Sequence, residues 1–139
     1  TSPITFEQYF YYYYFNNKSV GLKDRIWGGT VIASKNNFTT PQNLRDQRNH
    51  YPRIANGGWH LSYMGGKDMI KKKIQNIAHT EFNNPKYYTE ENLDICLKEG
   101  KDIFDRKNME FMLINLEDEY PKRILDVLTQ YKDFIYYDN

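Results

Sequence analysis

The chain has 139 residues, of which 40% are apolar and 27% charged, with a net charge of +1. That size and balance fit one globular domain with a real core, rather than a disordered or membranous chain, and there is no basic field to suggest nucleic acid. No apolar run approaches the ~20 residues of a membrane span, and the single Cys96 excludes an internal disulfide and the common cysteine-based zinc sites.

The opening Thr1-Ser2-Pro3-Ile4 lacks an initiator Met and the basic and apolar regions of a signal peptide. A processed product or a piece of something longer is therefore expected, cytoplasmic rather than secreted. The aromatic run from Phe6 to Phe15 predicts a strand buried on both faces, ended by Asn16-Asn17, with a helix as the alternative that periodicity alone does not separate. Arg25 to Ala33 predicts a second strand with a bulge or turn at Gly28-Gly29. Thr40-Pro41 opens a short polar helix, Thr40 as cap and Pro41 in its first turn, carrying Arg45 and Arg48. Met69, Ile70, Ile74, Ile77 and Ala78 recur at helical spacing and predict an amphipathic helix over about residues 67–80, with Lys71, Lys72 and Lys73 more often a solvated face than a phosphate grip. A helix begins near Thr89 and ends near Gly100, and Glu110 to Leu116 reads as a short strand. A last helix starts at Pro121, with Ile124, Leu125, Leu128, Tyr131 and Phe134 on its apolar side. One α/β or α+β domain spanning residues 1–139 fits this order. Asn17-Lys18-Ser19 and Asn37-Phe38-Thr39 match the N-glycosylation pattern, which is common by chance.

The densest signal is Gly57-Gly58-Trp59-His60-Leu61-Ser62-Tyr63-Met64-Gly65-Gly66. A glycine pair on each side suggests two bends around a short extended piece, and strand alternation puts His60 and Ser62 on one side of it. Polar, titratable and aromatic groups held this way suit a sugar or nucleotide site, and the 13 tyrosines and 8 phenylalanines add flat apolar faces with polar tips.

These residues resemble glycosyltransferase family 17, the β-1,4-N-acetylglucosaminyltransferase-like proteins. GGWHLSYMGG is similar to that family's Gly-Trp-His-x-Ser segment, and IKKKIQNIAHTEFN to its following helix with Ala-His-x-Glu. NLDICLKEGKDIFDR resembles the next helix and turn, and YPKRILDVLTQYKDFIYY the Pro-Lys ending. Leu44-Arg45 and Trp27-Gly28 stand where such members carry an Arg and a Trp-Gly. The resemblance covers nearly the whole chain. It implies the C-terminal half of a GT-A-like glycosyltransferase, with short strands and three to four helices, acting on a UDP-N-acetylglucosamine-like nucleotide-sugar donor and a glycan acceptor with inversion. It also implies that the N-terminal half of the same enzyme supplies the Asp-containing segment holding a divalent metal, Mn or Mg. The cluster Glu117-Asp118-Glu119 reads as charge at a helix start rather than as that segment.

His60 is the first candidate, as a metal ligand or as a hydrogen-bond partner of sugar or phosphate, against a structural histidine held in a turn. Trp59 could stack on a sugar ring or lie buried, and Ser62 and Tyr63 could donate to substrate oxygens. Continuing the spacing 70, 74, 77 gives 81, placing Glu81 on an apolar helix face where its pKa would rise and fit a general base. The alternative is a helix that frays near Thr80, leaving Glu81 to pair with a lysine or arginine. His79 shares a site with Glu81 only if the helix ends there. Arg45, Arg48 and Arg53 are guanidinium candidates for a diphosphate clamp, and the resemblance selects Arg45. A non-catalytic carbohydrate-binding or interaction module, and a metal-dependent hydrolase using His60, His79 and Glu81, are the competing readings.

Overall fold

A computed structural model describes residues 2–21, 25–76 and 80–137. The aromatic run forms β1 (Ile4–Tyr12), the centre of a mixed six-stranded sheet. On one edge of β1 lie β3 (Ile26–Ile32) and β2 (Asn17–Ser19), both antiparallel to it, and β2 in turn pairs antiparallel with β6 (Phe111–Leu113). On the other edge lie the parallel strands β4 (Arg53–Ile54) and β5 (Trp59–Ser62). The fold is α+β.

β1 is buried on both faces, as its composition predicts. Phe10 and Tyr12 face a core with Ile70 and Ile74 of α2 (Gly66–Gln75) and Leu93 and Cys96 of α3 (Glu90–Glu99). Tyr11 faces the opposite way, toward Phe15, Tyr120 and Ile135, with Leu125 and Leu128 of α5 (Lys122–Leu128) packed behind them. Period-two alternation therefore sends neighbouring aromatics into two separate cores. The strand ends at Tyr12 rather than Phe15, because Tyr13 takes a positive φ of 64° and turns the chain into the β2 hairpin. The expected bulge is present in β3. Phe6 pairs with Thr30 and Gln8 with Trp27, so β3 carries one extra residue at Gly28-Gly29.

Capping follows the sequence closely. The Thr40 hydroxyl accepts from Asn43 N–H at the start of α1 (Pro41–Gln47), the Thr89 hydroxyl accepts from Asn92 N–H at the start of α3, and Gly100 closes α3 with φ of 66°. Three expected boundaries are corrected. α2 stops at Gln75, where Asn76 leaves the helical region and its side-chain amide donates to the Lys72 carbonyl at 2.7 Å. The strand expected over 110–116 is only β6, since Asn115 caps the short α4 (Leu116–Glu119) by accepting from Glu117 N–H. The last helix ends at Leu128, leaving Tyr131 exposed and Phe134 in a 3-10 turn, so that α4 and α5 raise the number of α-helices among the described residues to five. Asn17, 2% exposed, gives its amide to the Tyr12 and Gly100 carbonyls, which removes it as a glycan acceptor in the folded chain. No helix of the described residues is long and apolar enough to cross a membrane.

Candidate functional site

The glycine-bounded segment forms β5 and the bends around it: Gly58 has φ of 125°, and Gly65 and Gly66 have φ of 92° and 76°. Along β5 the side chains alternate. Trp59 joins the Tyr11 core and lies 5.2 Å from Tyr120, ring to ring, while His60 and Ser62 face the other side, as the alternation predicts.

His60 is paired in register with Phe10 of β1, and the two rings stack at 5.0 Å and 12°. Trp27 of β3 stacks on the same imidazole at 4.7 Å and 25°. The bulge makes this possible. The Trp27 indole folds back over Gly29, where a Cβ would fall 1.9 Å from the indole nitrogen, so glycine leaves the room the ring occupies. Burial among these rings, reinforced by the nearby Lys73 ammonium, lowers the His60 pKa from its ordinary 6.5 to about 4. At neutral pH His60 is an uncharged imidazole.

The Trp27–His60 stack is a wall shared by two concavities. One, of about 370 Å³, is lined by Ser62, Tyr63, Lys73, Phe82, Phe104 and Arg106 in addition to His60, Trp27 and the β1 aromatics. Its polar groups are tied together. Lys73 Nζ donates to Ser62 Oγ at 2.7 Å and lies 4.3 Å from the Tyr63 ring centroid. Arg106 donates to both Asp102 oxygens and, at 2.8 Å, to the Tyr12 hydroxyl. Burial pushes the Tyr63 phenol up to about 12, which keeps it protonated and able to donate. The other concavity, about 740 Å³, holds Arg45, Arg48, Asp46 and Thr30 on the far side of His60.

The fold thus gathers His60, Ser62 and Tyr63 in one cavity and sets Arg45 in the adjoining one. It separates two other candidates from them. Trp59 faces the opposite side of the sheet, because odd and even positions of β5 point apart. Glu81 is not on an apolar helix face, since α2 has ended six residues earlier; it is exposed in the 3-10 turn Thr80–Phe82, next to Phe82 of the cavity lining. His79 lies outside the described residues. Arg53 is also remote, paired with Glu7 at 3.0 Å. Trp27, marked by the Trp-Gly resemblance, joins the site, and Lys73 and Arg106 enter it unexpectedly. Lys73 was hidden in a lysine run that reads as a solvated face, and only its position opposite β5 distinguishes it.

Among the described residues no three His, Cys, Asp or Glu side chains gather so as to hold a metal ion. The surroundings of His60 do not fit a divalent cation: its neighbours are aromatic rings, and the Lys73 ammonium repels positive charge. No family model, curated protein or solved structure matches this chain.

Proposed function

We propose that this chain forms part of a nucleotide-sugar-dependent glycosyltransferase, inverting and N-acetylglucosaminyl-like, that transfers to a glycan acceptor. The observation that carries the reading is the two-part cleft around His60. It brings His60 and Ser62 of the Gly-Trp-His-x-Ser-like segment together with Trp27 and Arg45 of the Trp-Gly and Arg segments of the family resemblance, across β5, β1, β3 and α1. Aromatic walls suit a sugar or base ring, and guanidinium and ammonium groups on both sides of the wall suit a diphosphate.

In this reading the parts divide as follows. Neutral His60 accepts a hydrogen bond from a substrate hydroxyl and orients it. Glu81, next to Phe82 in the chain, is the carboxylate assigned to take the acceptor proton. Tyr63 donates to a sugar oxygen, and Arg45 meets phosphate oxygens as the leaving diphosphate gains charge. A GT-A-like architecture and a Mn or Mg ion belong to the same reading, with the ion's main ligands outside this chain in the N-terminal half of the enzyme.

The test is UDP-sugar binding and sugar transfer by the parent polypeptide, compared with His60→Ala and Glu81→Gln. Loss of transfer in both is expected; undiminished transfer with His60 removed sinks its assigned role. The aromatic cleft also favours a second reading, a carbohydrate-binding module without catalysis. Glycan binding that ignores nucleotide sugar would select it.

A further inference from the structure

We infer that Lys73 is a phosphate-binding residue, and that the cavity between it and Trp27 takes the anionic, phosphate-bearing part of the ligand. The inference deepens the proposed function, resting on it for the cleft's role in the enzyme, but its physical ground is the placement of Lys73 itself.

The three consecutive lysines of α2 have different surroundings. Lys71 pairs with Glu90, which also binds Lys67, and Lys72 is exposed. Lys73 is exposed as a residue, yet it turns its ammonium onto Ser62 Oγ and the Tyr63 ring. Among the described residues it has no carboxylate partner. That is uncommon for a lysine drawn against a buried serine and an aromatic ring, because desolvation without a counter-ion disfavours the charge; its pKa is accordingly lowered by burial.

Among the described residues that line the cavity none is acidic. Its second cation, Arg106, is balanced by Asp102, so the uncompensated positive charge comes from Lys73. Ser62 is 4% exposed and accepts from Lys73, leaving its own O–H to donate to a bound oxygen. A volume of about 370 Å³ lies within the range of small-molecule sites. An ammonium, a hydroxyl donor and aromatic walls, with no carboxylate among the described lining residues, select a phosphate or diphosphate attached to a ring.

The experiment is calorimetric titration of the chain with inorganic pyrophosphate and, separately, with UDP, for the wild type, Lys73→Met and Lys73→Arg. Binding by the wild type is expected, weakened about tenfold or more by Lys73→Met and largely kept by Lys73→Arg. Wild type that binds neither probe, or Lys73→Met that binds as tightly as wild type, overturns the inference. If Lys73→Met does not fold, protection of Lys73 against an amine-reactive ester, read by mass spectrometry on the wild type, replaces it. Pyrophosphate should slow labelling of Lys73 and leave Lys72 unchanged, and equal labelling overturns the inference. Lys73-dependent pyrophosphate binding in a polypeptide that transfers no sugar would keep this site and remove the transferase reading.

Discussion

The imidazole of His60 and the indole of Trp27 stack 4.7 Å apart, although they come from two strands that do not pair with each other. β1 lies between those strands, and Phe10 completes the stack from beneath. A histidine held this way trades hydration for ring contacts, and this sets its charge state.

The first expectation concerns pH. The pKa of His60 falls from 6.5 in the unfolded chain to about 4 in the folded one. Above about pH 6.5 the group is neutral in both states and does not penalise folding. As pH falls toward 4 the unfolded chain takes up the proton first, so stability drops across that window. Discounted for partial solvation, the loss attributable to His60 is about 1–2 kcal/mol. Urea unfolding at stepped pH should show it, and His60→Gln should flatten that part of the profile.

Gly29 controls the same stack from a distance. A methyl group at this position meets the Trp27 indole. Gly29→Ala should therefore displace the ring, expose the imidazole and raise the His60 pKa toward its ordinary value. Proton NMR titration of the His60 ring reads the change directly, and an unmoved pKa would show that Trp27 adapts without leaving the stack.

Asp102 supports the far wall of the cleft. It is 7% exposed and takes two side-chain bonds and one backbone bond from Arg106. Asp102→Ala removes a hydrogen-bonded counter-charge from the guanidinium beside Phe104 and Tyr12, at a cost of about 3–5 kcal/mol. Asp102→Asn should cost less, because it keeps one acceptor. Thermal unfolding separates the two.

Trp59 serves the opposite core. Trp59→Ala should lower stability by about 3 kcal/mol through lost packing on Tyr120 and its neighbours. Trp59→Phe should be milder and leave pyrophosphate binding at Lys73 unchanged. A binding loss in Trp59→Phe comparable with that of Lys73→Met would contradict the division of β5 into two faces.

Across the sheet, Tyr11 donates to Glu119, and Lys18 Nζ bonds the same carboxylate at 2.7 Å. Tyr11→Phe should cost about 1–2 kcal/mol by removing one of those donors. Denaturant midpoints check it, with Lys18→Met as the companion variant.

Much of the local structure was legible because its causes are local. Thr40, Thr89 and Gly100 mark helix ends through their own hydrogen bonds or φ angles, and the Gly28-Gly29 bulge follows from residues adjacent in the chain. The shared side of His60 and Ser62 was legible for the same reason, since alternation is a property of any strand. Of the two readings of Glu81, the apolar helix face is set aside and the helix that ends early is kept, because the Asn76 side-chain bond to Lys72 helps end α2. Trp59 was grouped with His60 by closeness in sequence, whereas adjacent strand positions face opposite cores.

The sequence by itself determined a single α/β or α+β unit, an aromatic strand buried on both faces, most helix starts and the candidate status of His60, Ser62, Tyr63 and Arg45. Each depends on composition, period or a cap within a few residues. Only the tertiary structure decided that Trp27 stacks on His60, that Lys73 leaves its lysine neighbours to face Ser62, and that Trp59 belongs to the other core. Those outcomes depend on which strand lies beside β1 and which helix covers which face. That pairing is set by the burial of aromatic side chains from segments far apart in the chain.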